Sequence, residues 1–131
     1  MRAVTVMMSA ALALSLGGYA AAQAPATPAM PSAVHAMNGM LMDAKGMTLY
    51  TFDNDKEPNK SACAGNCLTN WPILKAEASD TDMGDWKVIT RDDGTKQWSY
   101  KGKPLYYFAM DKAAGDKLGD GRGMVWHIAK P

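Results

Sequence analysis

Two stretches of this chain repeat each other: Lys45-Gly46-Met47-Thr48-Leu49-Tyr50-Thr51-Phe52, followed by Asp55, and Lys101-Gly102-Lys103-Pro104-Leu105-Tyr106-Tyr107-Phe108, followed by Asp111. One offset of 56 residues carries Tyr50 onto Tyr106, Phe52 onto Phe108 and Asp55 onto Asp111. Lys, Gly, Leu, Tyr, Phe and Asp all match at that spacing, and a Trp closes each unit, in Trp71-Pro72-Ile73 and Trp126-His127-Ile128. Self-similarity at a fixed period is the mark of a duplicated supersecondary unit. The units run over about residues 40–74 and 96–129.

The local pattern around both stretches is β. Leu49 to Phe52 follows a turn at Asp43-Ala44-Lys45-Gly46, and Met40 to Met42 is the expected partner strand of that hairpin. Trp86 to Thr90 alternates into Asp92-Asp93-Gly94-Thr95, and Lys96 to Tyr100 returns; an Asp-Gly between alternating strands is a strong hairpin signal. Leu105 to Phe108 and Trp126 to Ala129 read as two more strands, and Asp111 to Gly123 as an irregular loop. No helical periodicity of useful length follows the N-terminal segment. Neither unit can shelter its own rings, and an isolated hairpin is marginal in water. The expectation is therefore an all-β fold: a small sandwich or partly open barrel of two pseudo-symmetric repeats. Trp71, Trp98, Trp126, Tyr50, Tyr106, Phe52 and Phe108 are expected in one core.

Upstream of the repeats, Arg2 precedes an uncharged run from Ala3 to Leu16, then Gly17-Gly18 and the small residues Ala20-Ala21-Ala22. Charged start, apolar middle and small-residue end are the order of a secretory signal peptide, expected over residues 1–22 with cleavage after Ala22. The apolar run is shorter than the ~20 residues that span a bilayer. Residues 23–33 hold Pro25, Pro28 and Pro31 and read as a semi-rigid linker, leaving 34–131 as one small domain. The expected compartment is periplasmic or extracellular. In that oxidising setting Cys63 and Cys67 are read as a disulfide. A loop so short stabilises by about 2 kcal/mol in the chain-entropy description. The formal net charge of +1 offers no basic stripe for nucleic acid, so no nucleic-acid partner is expected.

With these residues in place, the chain resembles the bacterial secreted-repeat family, predicted lipoproteins with a Y-x-[FWY]-x-x-D motif. Tyr50, Phe52 and Asp55, then Tyr106, Phe108 and Asp111, carry the motif. Gly46 to Tyr50 matches G-x-T-L-Y; Cys63, Cys67, Trp71 and Pro72 match a Cys pair ahead of W-P; Asp93, Gly94 and Gln97 match D-G-x-x-Q. The resemblance covers nearly the whole mature domain. It implies the fold and the compartment and assigns no biochemical role. No Cys lies near the expected cleavage site, so the lipid anchor of lipoprotein-like relatives is not expected here.

Tyr50 with Phe52, and Tyr106 with Phe108, share a strand face. Asp55 and Asp111 lie just past the strand ends, where a carboxylate fixes a turn or accepts a bond from the Tyr of the other copy. A structural role is the first reading, a Tyr- and Asp-lined binding groove the second. Three residues separate Cys63 from Cys67, which fits neither a thioredoxin-like nor a c-type haem motif. His35, Met37, Met40 and Met42 form a thioether and imidazole cluster suited to Cu(I), the alternative to Met acting as core filler. Asp53 to Glu57 lacks the Gly and Glu positions of an EF-hand loop, and Asp116 and Asp120 read as solvated. His127 has no nucleophile or orienting group in the sequence pattern. The expected function is a non-enzymatic exported binding or envelope-associated module with an unknown ligand or envelope partner. No catalytic residues and no obligatory cofactor are expected, and a periplasmic copper-binding protein is the alternative.

Overall fold

The computed structural model describes residues 29–131. The signal-peptide reading of 1–22, and the linker apart from its last residues, lie outside them. Seven strands carry the fold: β1 (Val34–Met37), β2 (Met40–Asp43), β3 (Tyr50–Phe52), β4 (Trp86–Thr90), β5 (Lys96–Tyr100), β6 (Lys103–Pro104) and β7 (Trp126–Ile128). Among the described residues, helix is limited to one turn, α1 (Cys67–Asn70), and a 3-10 turn at Arg122–Met124. None of the helical segments described is long and apolar enough to cross a membrane. The sheets are small and unclosed: β1-β2, β3-β7 and β4-β5-β6.

The pseudo-twofold relation is visible in the backbone. Tyr50 and Tyr106 exchange both of their backbone hydrogen bonds, at 2.8 and 3.0 Å. Tyr106 also bridges Ile73, and Tyr50 pairs with Ile128, so one row, Ile73–Tyr106–Tyr50–Ile128, crosses four segments. Symmetry extends outward from this row. Leu74 N–H bonds the Leu105 carbonyl while Ala129 N–H bonds that of Leu49; Trp98 N–H bonds Leu74 while Leu41 N–H bonds Ala129.

Strand alternation sends successive residues to opposite faces. One face gathers an aromatic core of Tyr50, Trp71, Tyr106, Phe108 and Trp126 around Cys63. The other gathers Val34, Leu41, Leu49, Leu74 and Leu105 with Trp86 and Trp98. The expected single core is thus two. Trp98 leaves the other rings because β5 presents it towards Trp86, whose ring it meets edge-on at 6.3 Å.

Two strand pairings also differ from expectation. Met40 to Met42 pairs mainly with Val34–Met37, not with Leu49 to Phe52. Asn38 and Gly39 both adopt positive φ, at 54° and 74°, the geometry a two-residue hairpin turn needs. Contact with the later segment shrinks to the Met42–Thr48 bridge and the Leu49-to-Leu41 bond, and β3 pairs with β7 instead. Leu105 to Phe108 is not a continuous strand. Pro104 has no N–H for the ladder, and the N–H groups that follow are shared among Trp98, Tyr50 and Pro72.

Candidate functional site

The six motif residues meet at the pseudo-twofold axis. Each Tyr reaches the Asp of the other repeat: Tyr50 Oη donates to Asp111 Oδ2 at 2.7 Å, and Tyr106 Oη to Asp55 Oδ2 at 2.7 Å. The second carboxylate oxygen closes a local turn in both copies, accepting from Ala62 N–H in one and from Leu118 N–H in the other. Both Tyr side chains are fully buried. Burial, with the neighbouring carboxylate adding to it, pushes both phenols well above their usual range. Burial also raises Asp55. The phenols therefore stay protonated and act as donors, and each bond to a charged acceptor contributes about 1.5–3 kcal/mol.

The two locks are supported differently. Tyr106 Oη gives its only proton to Asp55, so Ser61, at 2.6 Å, is the donor to it. Ser61 Oγ in turn accepts from Arg91 Nη1 at 2.7 Å, which also reaches Gln97 Oε1 at 2.7 Å. This makes a directed chain from guanidinium through Ser61 and Tyr106 to Asp55. Among the described residues, Tyr50 Oη accepts only a backbone bond, from Gly119 N–H at 3.2 Å.

Above the locks the rings form one stack. Phe52 lies on Trp126 at 4.1 Å, Trp126 on Trp71 at 3.7 Å, and Trp71 on Phe108 at 4.4 Å. Each Phe thus covers the Trp of the other repeat, and the two Trp rings meet at the axis. Arg122 caps the stack over Phe108 at 5.0 Å.

Cys63 and Cys67 form the disulfide, with Cα atoms 5.4 Å apart. The repeat offset carries them onto Gly119 and Gly123. A Cβ on Gly119 would lie 2.9 Å from ring atoms of both Trp71 and Tyr50. The second repeat therefore closes the same corner with the chain itself, where the first uses a covalent clip.

An open cleft of about 460 Å³ lies on the other face of the sheet, between β6 and β7. Thr51, Leu105 and Ala129 lie at its base, and Lys101, Lys103 and Lys130 around it. None of these lysines has an ion-pair partner among the described residues. Asp53, the carboxylate among the lining groups, is held by His127 Nε2 at 2.7 Å. Sequence reasoning missed this cleft. Its signal was available at the mismatched positions of the repeat, above all Thr51 against Tyr107.

A model of a family described as a secreted repeat of unknown function matches the chain twice, over residues 32–75 and 87–130. The chain belongs to this secreted-repeat family. The two matches correspond to the two halves of the pseudo-twofold fold, each bringing one Tyr-x-Phe-x-x-Asp motif to the axis. No curated protein and no solved structure gives a significant match.

The remaining candidates of this secreted repeat are held apart from the axis. The register pairs His35 with Met42 and Met37 with Met40, placing all four on one face of the β1-β2 hairpin. His35 and Met37 are exposed, while Met40 and Met42 are buried. Among the described residues, no three His, Cys, Asp or Glu side chains gather as a metal-binding group. Asp116 caps its own loop, accepting from the N–H groups of Lys112 and Ala113, both at 2.9 Å.

Proposed function

We propose that this secreted repeat is a non-enzymatic binding module of the periplasm or the extracellular space, delivered by a signal peptide over 1–22 and set off by the linker 23–33. The supporting observation is the division of labour between its two faces. Both Tyr–Asp pairs are consumed in joining the repeats, and their buried, protonated phenols have no free base beside them. The Tyr- and Asp-lined groove weighed from the sequence is therefore filled by the protein itself. The open cleft beside Thr51 offers a ligand about 460 Å³, within the ~300–1,000 Å³ range of small-molecule sites.

The reading is tested by thermal unfolding of the signal-cleaved protein against separate panels of small anions, cations and neutral sugars. A ligand selective for the native state raises Tm by mass action. A rise with at least one class is expected; no rise with any class at millimolar concentration would leave only an envelope-structural role.

A copper-binding reading draws on the shared face of His35, Met37, Met40 and Met42. Thioether and imidazole donors suit Cu(I). Titration of Cu(I) into the protein and into a His35→Ala/Met37→Ala/Met40→Ala variant decides it, with loss of binding expected in the variant and equal affinity discarding it.

A further inference from the structure

The pseudo-twofold axis gives the open cleft a counterpart in the other half of the molecule, and the counterpart is full. The offset that relates Tyr50 to Tyr106 relates Thr51 to Tyr107 and Lys103 to Met47. The matching bonds of Leu74 and Ala129 to Leu105 and Leu49 make those two residues equivalent. The matching bonds Leu49-to-Leu41 and Leu105-to-Trp98 place Asp43 opposite Tyr100, two residues further along each strand. In the filled half, the Tyr107 ring packs on the aliphatic core and its hydroxyl donates to Asp43 at 2.9 Å. In the open half both large groups are cut back, Tyr107 to Thr51 and Leu74 to Ala129, and the space is left free.

The polarity changes with the volume. Where the filled half has Met47 and Asp43, the open half has Lys103 and Tyr100; Lys103 stands beside Lys101 and Lys130, whose counterparts Lys45 and Lys75 are lysines as well. The three lysines of the cleft are exposed and lack ion-pair partners among the described residues. Tyr100 adds a ring wall, with Lys101 Nζ 5.1 Å from its centroid. A ring placed here as Tyr107 is placed in the other half would meet Lys103 and Tyr100 where Tyr107 meets Met47 and Asp43.

We propose that this cleft binds a small organic anion: a planar ring bearing a carboxylate or phosphoryl group, the ring taking the place that Tyr107 holds in the other half and the anion lying among Lys101, Lys103 and Lys130. The proposal rests on the binding-module reading and names the ligand class of the same cleft.

The test is titration of the isotope-labelled, signal-cleaved protein by NMR with benzoate and phenyl phosphate, alongside phenol, inorganic phosphate and phosphatidylglycerol vesicles. The ring-bearing anions are expected to shift the resonances of Thr51, Lys103 and Ala129. Phenol and inorganic phosphate should bind about tenfold more weakly, since each lacks one half of the recognition. Thr51→Tyr rebuilds the filled half and should abolish the shifts. Lys103→Gln/Lys130→Gln should weaken binding about tenfold and flatten its dependence on salt. Inorganic phosphate matching the ring anions, binding only to vesicles, or no shift at these residues overturns the proposal. So does wild-type affinity in folded Thr51→Tyr. Should that variant not fold, the double lysine variant decides, and unchanged affinity there overturns the proposal as well. If a neutral sugar or a cation binds while the ring anions do not, the ligand class fails and the binding-module reading stands.

Discussion

The two repeats bring the same Tyr, Phe, Asp and Trp to a shared axis, yet each stabilises its half by different means. Repeat 1 is clipped by Cys63–Cys67, and its Ser61 and Asp55 hold Tyr106 of repeat 2 in a chain of hydrogen bonds that starts at Arg91. Repeat 2 has glycines at the Cys positions, and the Tyr50 hydroxyl that reaches into it from repeat 1 accepts a lone backbone bond from Gly119. The central rings are constrained together because they pack across the axis, Trp71 on Trp126 and each Phe on the Trp of the other repeat. Support around the rings is free to diverge, and the divergence leaves one half sealed by Tyr107 and the other open at Thr51.

The comparison makes graded predictions. Trp71→Ala and Trp126→Ala remove the two axial rings and should each cost about 3–5 kcal/mol in denaturant unfolding. Near-equal losses are expected, and a difference well beyond 1 kcal/mol would show that the stack is not shared evenly between the repeats. Tyr106→Phe should cost about 2–3 kcal/mol and Tyr50→Phe somewhat less, because only the first interrupts the chain from Arg91. Equal costs would show that this chain adds nothing to the lock. Reducing the disulfide should cost about 2 kcal/mol. Adding a methyl where the second repeat has none, Gly119→Ala, should cost about 1–2 kcal/mol through overpacking against Trp71 and Tyr50, measurable as a fall in Tm.

The smallest expected effect is in pH. Burial raises the Asp55 pKa in the folded state above its unfolded value of 3.8. A raised carboxyl pKa means the native state takes up its proton first as pH falls. Asp55 therefore adds stability as pH drops from its folded pKa towards 3.8, and withholds it at neutral pH. Wild type should gain on Asp55→Asn over that window in unfolding experiments, and a constant difference between them would remove Asp55 as the titrating group.

Much of the centre was legible because it depends on short-range pattern. The constant spacing of Tyr50, Phe52 and Asp55 with Tyr106, Phe108 and Asp111 marks two like units, and alternation marks them as β. The Asn38-Gly39 turn is equally legible in principle, since Asn-Gly between apolar residues is a strong hairpin signal; the turn at Asp43 to Gly46 also forms, but it leaves β2 only the Met42–Thr48 bridge while β1 takes the main pairing. The parting of Trp98 from the other rings was not legible, because aromatic content does not say which face of a sheet a ring joins.

Residue order by itself determined the β character, the duplication and the proximity of Cys63 to Cys67, all of which follow from spacing along the chain. Only the tertiary structure decided that each Tyr crosses to the other repeat's Asp, that the rings divide into two cores, and that Thr51 opens a cleft which Tyr107 fills in the other half. Those outcomes depend on which segments lie side by side across the axis, and side-chain volume acquires meaning there only once its neighbours are in place.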